Sequence, residues 1–332
     1  MRFAAALLVL GLVATGCTAD DSDDPGAAPM GSTPEDTQGA SPAPTTTPSS
    51  SPAPSPTAKP ALRSGDFDAA AAIRVVRYLA GTIGPRHATS PAFREAVRWV
   101  TAEFTRLGYR TRREGFPVPG GISWGVPVSA GRSANVIASR PGFDPAKPHV
   151  VVGAQLDTVP QAPGAEDNAS GVGVMLATAT AVAEARTRLP VMFVAFGAEE
   201  PRGPTDDDHH YGSRAHVAGL PPAQRRAFRG IVNVDRVGVG AVVPVGSANV
   251  AGDLLQRRLL ALARDIGVPA TPDFNRTSDH WSYVRAGLPG VRLGSTPYAA
   301  YHSPADVPSV VDSAQLDRTG RLVLAWLAPV RD

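Results

Sequence analysis

A single cysteine, Cys17, stands in 332 residues, so the chain cannot close an internal disulfide. Charge is scarce as well: 19% of residues are charged, and the formal net charge is +2. So small and evenly spread a surplus gives no electrostatic footprint for nucleic acid, and none is expected as a partner. No internal repeat is visible, and the apolar run at residues 3–13 is too short to span a bilayer as a helix. What is present, 43% hydrophobic residues over this length, suffices for one large domain plus appendages.

The chain starts with Arg2 and that short apolar run, the layout of a secretory signal. Ala14-Thr15-Gly16-Cys17 then resembles a bacterial lipobox, in which cleavage precedes a lipidated cysteine, and the lone cysteine falls where the motif needs it. An ordinary secretory signal with an incidental cysteine is the plainer alternative. The expectation is a signal peptide over residues 1–17 and a protein lipid-anchored to the cell membrane on its extracytoplasmic face. Residues 18–60 are Ser, Thr, Pro, Ala and Asp with hardly a large apolar side chain, so they are expected to form a disordered tether. The folded domain is expected over residues 61–332.

Within it, Phe67, Ile73, Val76, Leu79 and Ile83 predict one amphipathic helix, ended by Gly84-Pro85. Ser90 as cap, Pro91 in the first turn and Phe93, Val97, Val100, Phe104 and Leu107 on one face predict a second, ended by Gly108. Apolar runs at 149–154, 191–196 and 231–234 predict buried strands, with helices over 171–185 and 253–266. Near-continuous apolar strands separated by helices predict an α/β fold with a mostly parallel sheet covered on both faces. In such sheets the chemistry gathers at the carboxyl ends of the strands.

Five polar stretches fall there. In Gln155-Leu156-Asp157 alternate side chains point the same way, so Gln155 and Asp157 face one site if pairing continues; a polar strand end is the bland alternative. Asp167-Asn168 reads as a helix N-cap or as a metal-bridging carboxylate, with Gly171 and Gly173 permitting close approach to the sheet. Glu199-Glu200, directly after an apolar strand, suggests one carboxylate on a metal and the other on an attacking water; a surface acidic pair is the alternative. Asp235 tips the strand at 231–234, and His302 sits in a turn-rich segment, each unremarkable by itself. Gly121-Ile122-Ser123-Trp124-Gly125 matches the nucleophile-elbow pattern. However, Pro117, Pro119, Gly120 and Pro127 deny Ser123 the flanking strand and helix that motif needs.

Together with Leu79-Ala80-Gly81-Thr82-Ile83-Gly84-Pro85-Arg86, Asn135-Val136-Ile137-Ala138, Tyr211-Gly212-Ser213-Arg214, Thr277-Ser278-Asp279-His280 and Tyr301-His302-Ser303-Pro304-Ala305-Asp306, these stretches carry a resemblance. The span 79–312 resembles the co-catalytic zinc aminopeptidase superfamily, which includes glutamate carboxypeptidase-like enzymes and glutaminyl cyclases. The resemblance implies a three-layer α/β/α sandwich, zinc as cofactor and a peptide substrate. It further implies Asp167 as bridging ligand, Glu200 and His302 on the first metal, and Asp235 with residue 155 on the second. Glu199 would be the general base, Asp157 would belong to the catalytic set as a support for its neighbour at 155, and Asp279 and Tyr301 would lie beside the ligands or the substrate. A cis peptide after Asp167 is a further expectation.

One position departs from the pattern: glutamine stands at 155 where histidine is expected. A neutral carboxamide is a poor zinc ligand beside an imidazole. One tight zinc and a weak or absent second are therefore expected. His209 or His210, in the acidic loop after Glu200, is a candidate replacement ligand; a solvated polar loop is the alternative. Single-zinc glutaminyl cyclases match at Asp167, Glu200 and His302 and use acids matching Glu199, Asp235 and Asp279, which makes a cyclase the second reading. A catalytically weakened, peptide-binding lipoprotein is the third.

Overall fold

The structure, a computed structural model, describes residues 59–250 and 252–330. The expected signal segment, Cys17 and nearly all of the expected tether lie outside the described residues.

The strands are β1 (Arg110–Val118), β2 (Gly121–Ser123), β3 (Val126–Val128), β4 (Gly131–Ser139), β5 (His149–Gln155), β6 (Val191–Phe196), β7 (Phe228–Val234), β8 (Val243–Ser247), β9 (Ala270–Phe274) and β10 (Gly290–Leu293). The helices are α1 (Ala69–Val76), α2 (Pro91–Arg106), α3 (Ser170–Glu184), α4 (Tyr211–Gly219), α5 (Pro222–Ala227), α6 (Leu254–Asp265), α7 (His280–Arg285) and α8 (Ser313–Leu327).

Side chains on β6 alternate between two cores. Val191, Phe193 and Ala195 enter one, and Met192, Val194 and Phe196 the other. Burial on both faces is why this strand and β5 read as unbroken apolar runs. The first core is closed by α1, α2, α3, α6 and α8, the second by α4 and α7. The result is the expected three-layer sandwich. Its sheet runs β1-β4-β6-β5-β7-β10-β8-β9, and its centre, β6, β5, β7 and β10, is parallel. Parallel strands end on the same edge, so the segments after β5, β6, β7 and β10 meet there. The strands added at the two flanks, β1 with β4 and β8, enter antiparallel.

The predicted second helix is α2, and its Ser90 hydroxyl accepts from Phe93 N at 3.0 Å. The first prediction needs correction. Asp68 caps α1, Phe67 lies before it, and from Arg77 to Ile83 the helix widens into π-type turns. Gly171 approaches the sheet as expected: a Cβ there would meet the Val234 carbonyl oxygen at 2.3 Å. Gly173 faces the other way, with the Ala72 carbonyl oxygen of α1 at 2.7 Å from an added Cβ. It lets two helices touch rather than helix and sheet.

Candidate metal centre

Most of the site's polar residues ride on strand ends, while Asp167 comes from the turn at Ala165–Ala169 that leads into α3. Gln155 closes β5, Glu199 and Glu200 follow β6 by a short bend, and Asp235 is the first residue after β7. His302 arrives from the long loop after β10. Several of these turns hold non-glycine residues at positive φ: Ala198 at 54°, Arg236 at 55°, His210 at 57° and His302 at 53°. Backbone strain of that kind persists only where surrounding packing over-determines it.

Asp167, Glu200 and His302 present ligand atoms that all lie within 4.8 Å of one another, and all three residues are buried. His302 Nε2 is 3.1 Å from Asp167 Oδ2 and 3.5 Å from Glu200 Oε2. The loop carrying Asp167 is set by Asp306, whose carboxylate accepts from Glu166 N at 2.8 Å and Asp167 N at 3.1 Å. Asn168 does the capping that sequence offered to the pair. Its Oδ1 accepts from Gly171 N at 3.0 Å, and its Nδ2 donates to the Val234 carbonyl at 3.0 Å. Asp167 is thereby left free to face the site, and the Asp167–Asn168 peptide is cis, as the resemblance implied.

Glu199 and Glu200 are both buried, which rules out the surface-pair alternative. Asp157 holds them in place: its carboxylate accepts from Glu199 N at 3.0 Å and Glu200 N at 3.3 Å. Burial pushes Asp157 up to about 6, against the pull of those two amides. Burial, then the charges of Asp235 and Asp167, push Glu199 well above the usual carboxylate range. Burial and the charges of Asp167 and Glu199 do the same to Glu200. Asp167 is held low: burial opposes ionisation, but the His302 hydrogen bond and the charge of Arg236 outweigh it. Acids crowded this closely away from solvent either take up protons or share a cation, and a cation would favour their ionised forms. Glu200 Oε1 is moreover buried without a hydrogen-bond partner. A carboxylate, a second carboxylate and an imidazole form a donor set suited to zinc.

The other predicted residues fall around this trio. Gln155 Nε2 lies 3.2 Å from Asp167 Oδ1 and 3.0 Å from Glu199 Oε2, donating to both. Asp235 Oδ2 accepts from Ser278 Oγ at 2.6 Å and faces Arg292 Nη2 at 3.0 Å. His210 does not join the trio; its Nε2 sits 3.2 Å from Glu199 Oε1, and burial lowers it to about 4. His209 lines the cavity without entering the cluster. Asp279 is fully buried and does not reach the cavity wall, and burial, then the Glu199 charge, push it well up.

Above the acids lies a cavity of about 200 Å³, walled by Trp124, Pro201, His209, Arg236, Thr277 and Tyr301 among others. The Tyr301 ring stacks on that of His302 at 3.7 Å, and the Trp124 ring meets His302 edge-on at 4.3 Å. Trp124 sits in the turn of the β2–β3 hairpin, so the elbow-like motif is a hairpin, with Ser123 paired to Val126. That hairpin rests on the segment after Glu200: Ile122 N donates to the Arg202 carbonyl at 3.1 Å, and Arg202 Nη1 donates to the carbonyls of Pro119 and Ser129.

Sequence reasoning assigned no role to Arg292, Asp306, Glu166 or Trp124. Arg292 left a signal, being a charged residue within the otherwise apolar Gly290-Val291-Arg292-Leu293. The roles of Asp306 and Glu166 are set by partners far along the chain, for Glu166 the backbone amides of Gly238 and Val239.

Residues 135–327 match peptidase family M28. The uncharacterised protein YfbL of Escherichia coli is 25% identical over 276 residues, covering 70% of this chain and 79% of that one. The chain spans about half the length of longer curated relatives. Among solved structures, a zinc aminopeptidase from Bacillus subtilis superposes with a TM-score of 0.70 at 18% identity, over 78% of this chain and 94% of the other. A glutaminyl cyclase from Fimbriiglobus ruber gives 0.67 at 23% identity, over 79% and 95%.

Proposed function

This chain belongs to peptidase family M28, and on that footing we propose that it is an extracytoplasmic zinc metallopeptidase that trims peptides from their amino termini. The observation that carries the reading is the buried trio of Asp167, Glu200 and His302 with the carboxylate of Glu199 next in sequence. Asp167, Glu200 and His302 would hold the zinc, which when bound supplies a Lewis acid beside the scissile carbonyl. Glu199 takes a proton from the attacking water and hands it to the leaving nitrogen. Gln155 orients that carboxylate through Oε2, while buried, neutral His210 lies against Oε1. Trp124 and Tyr301 narrow the entrance and exclude water around the substrate end.

The test is hydrolysis of amino-acid amides with and without a chelator, run on wild type and Glu199→Gln. Turnover should stop with chelator and return with zinc. Glu199→Gln should lose about 10²–10⁴-fold in kcat at unchanged zinc content. Turnover indifferent to chelator would overturn the reading.

A glutaminyl cyclase remains the second reading, favoured by two observations. The intact trio is the set a single-zinc cyclase would need, and acidic Asp279 is buried next to Glu199. Incubation with a peptide bearing amino-terminal glutamine separates the two, since cyclisation releases ammonia and hydrolysis releases free glutamine. The extracytoplasmic location rests on the lipobox-like Ala14-Thr15-Gly16-Cys17. Metabolic labelling with a fatty acid, lost in Cys17→Ser, is the expected result for an anchored protein.

A further inference from the structure

Two donors point at the carboxylates that a second metal would need. Gln155 Nε2 donates to Asp167 Oδ1 at 3.2 Å, and Arg292 Nη2 stands 3.0 Å from Asp235 Oδ2. The orientation of the Gln155 amide is fixed by its surroundings, because turning it would set its oxygen against carboxylate oxygens of both Asp167 and Glu199. Gln155 therefore turns its amide nitrogen, not its oxygen, toward Asp167 and Glu199.

Arg292 is not a surface side chain swung inward. It is 1% exposed and lies at the centre of β10, opposite Asn233 of β7 and Gly246 of β8. Its guanidinium is held on several sides: Nη1 reaches Thr277 Oγ1 at 3.2 Å and Asn275 Oδ1 at 3.4 Å, and Nε reaches the Asp235 carbonyl at 3.4 Å. Moving it aside to admit an ion would strand a buried charge without its partner. Ser278 fixes the same Asp235 oxygen at 2.6 Å and is itself held by Asn233 Nδ2 at 2.7 Å.

We propose that Arg292 and Gln155 together occupy the second metal position, so that this chain binds one metal ion and carries a built-in guanidinium as its second cation. The proposal rests on the zinc-site reading above and deepens it. Arg292 is a positioning residue: it neutralises Asp235. A permanent cation cannot be removed by chelation and does not depend on the supply of metal.

The full chain is loaded with zinc, freed of excess by dialysis, and analysed for metal per chain by mass spectrometry. A zinc titration against a chelating indicator dye gives the stoichiometry independently. Wild type should bind one equivalent and Gln155→His/Arg292→Met two, while the further change His302→Ala should remove the equivalent held by the trio. Two tight equivalents in wild type would overturn the proposal while leaving the zinc reading standing. A folded double variant that still binds one would also overturn it. No tight equivalent in wild type would overturn both readings. Should the double variant fail to fold, Gln155→His/Arg292→Gln, which keeps much of the reach of Arg292 without its charge, replaces it under the same criteria.

Discussion

Asp157 is the residue at which position and chemistry are easiest to confuse. The motif suggested a member of the catalytic set, yet its two oxygens are taken up by the amides of Glu199 and Glu200. In Asp157→Asn, the carboxamide NH₂ would face one of those N–H groups, leaving a buried donor without an acceptor at a cost of about 1–3 kcal/mol. The expected outcome is a lower urea midpoint at unchanged m-value, with kcat reduced and zinc retained; a midpoint equal to wild type would refute the account. The candidate ligands were legible only as a set and through the resemblance, because Asp167 reads equally well as a helix cap and His302 is unremarkable by itself in a turn-rich segment. Arg292 was not, because its meaning depends on Asp235, 57 residues away.

At the scale of elements, β5, β6 and β7 were readable because both faces are buried, which leaves no alternation to interpret. The edge strand β1 was not, since much of its Arg110–Val118 run is exposed and charged. The β2–β3 hairpin was read as a Gly/Pro-rich loop, and only its contact with Arg202 reveals it as a wall of the cavity. Trp124 is half exposed at its tip, so truncation removes a contact surface without opening the core. Trp124→Ala should raise KM for short peptide amides several-fold, a loss of about 1 kcal/mol, with little change in melting temperature. An unchanged KM would remove the hairpin from the substrate path.

For the whole molecule, acid stability is governed by buried histidines as well as by carboxylates. Burial lowers His280 to about 3, partly offset by the Asn275 carbonyl, and burial with the charge of Arg202 lowers His87 to about 4. Both rings gain protons on unfolding once the pH drops below the ordinary imidazole value of about 6.5. The unfolded chain then binds more protons than the folded one, so stability is full above about 6.5 and falls as the pH drops toward the folded values. Fully buried His280 contributes a slope of up to about 1.4 kcal/mol per pH unit, and half-buried, solvent-screened His87 contributes less. Urea midpoints at pH 7 and pH 5 should therefore converge in His280→Gln relative to wild type. An equal acid-induced drop in both would show that His280 is not among the groups responsible.

The pairing of Arg292 with Asp235 also bears on how such a site changes over generations. A glutamine codon becomes a histidine codon by a single base substitution, so position 155 is never far from the residue the wider pattern expects. With Arg292 in place, that step gains nothing, because the new imidazole would share its corner with a buried guanidinium. Losing Arg292 first removes the ion-pair partner of Asp235 and leaves that carboxylate, near Glu199, with only the charge of Arg236 to offset it. Each residue thus guards the other against drift, because neither change alone clears this corner for an ion.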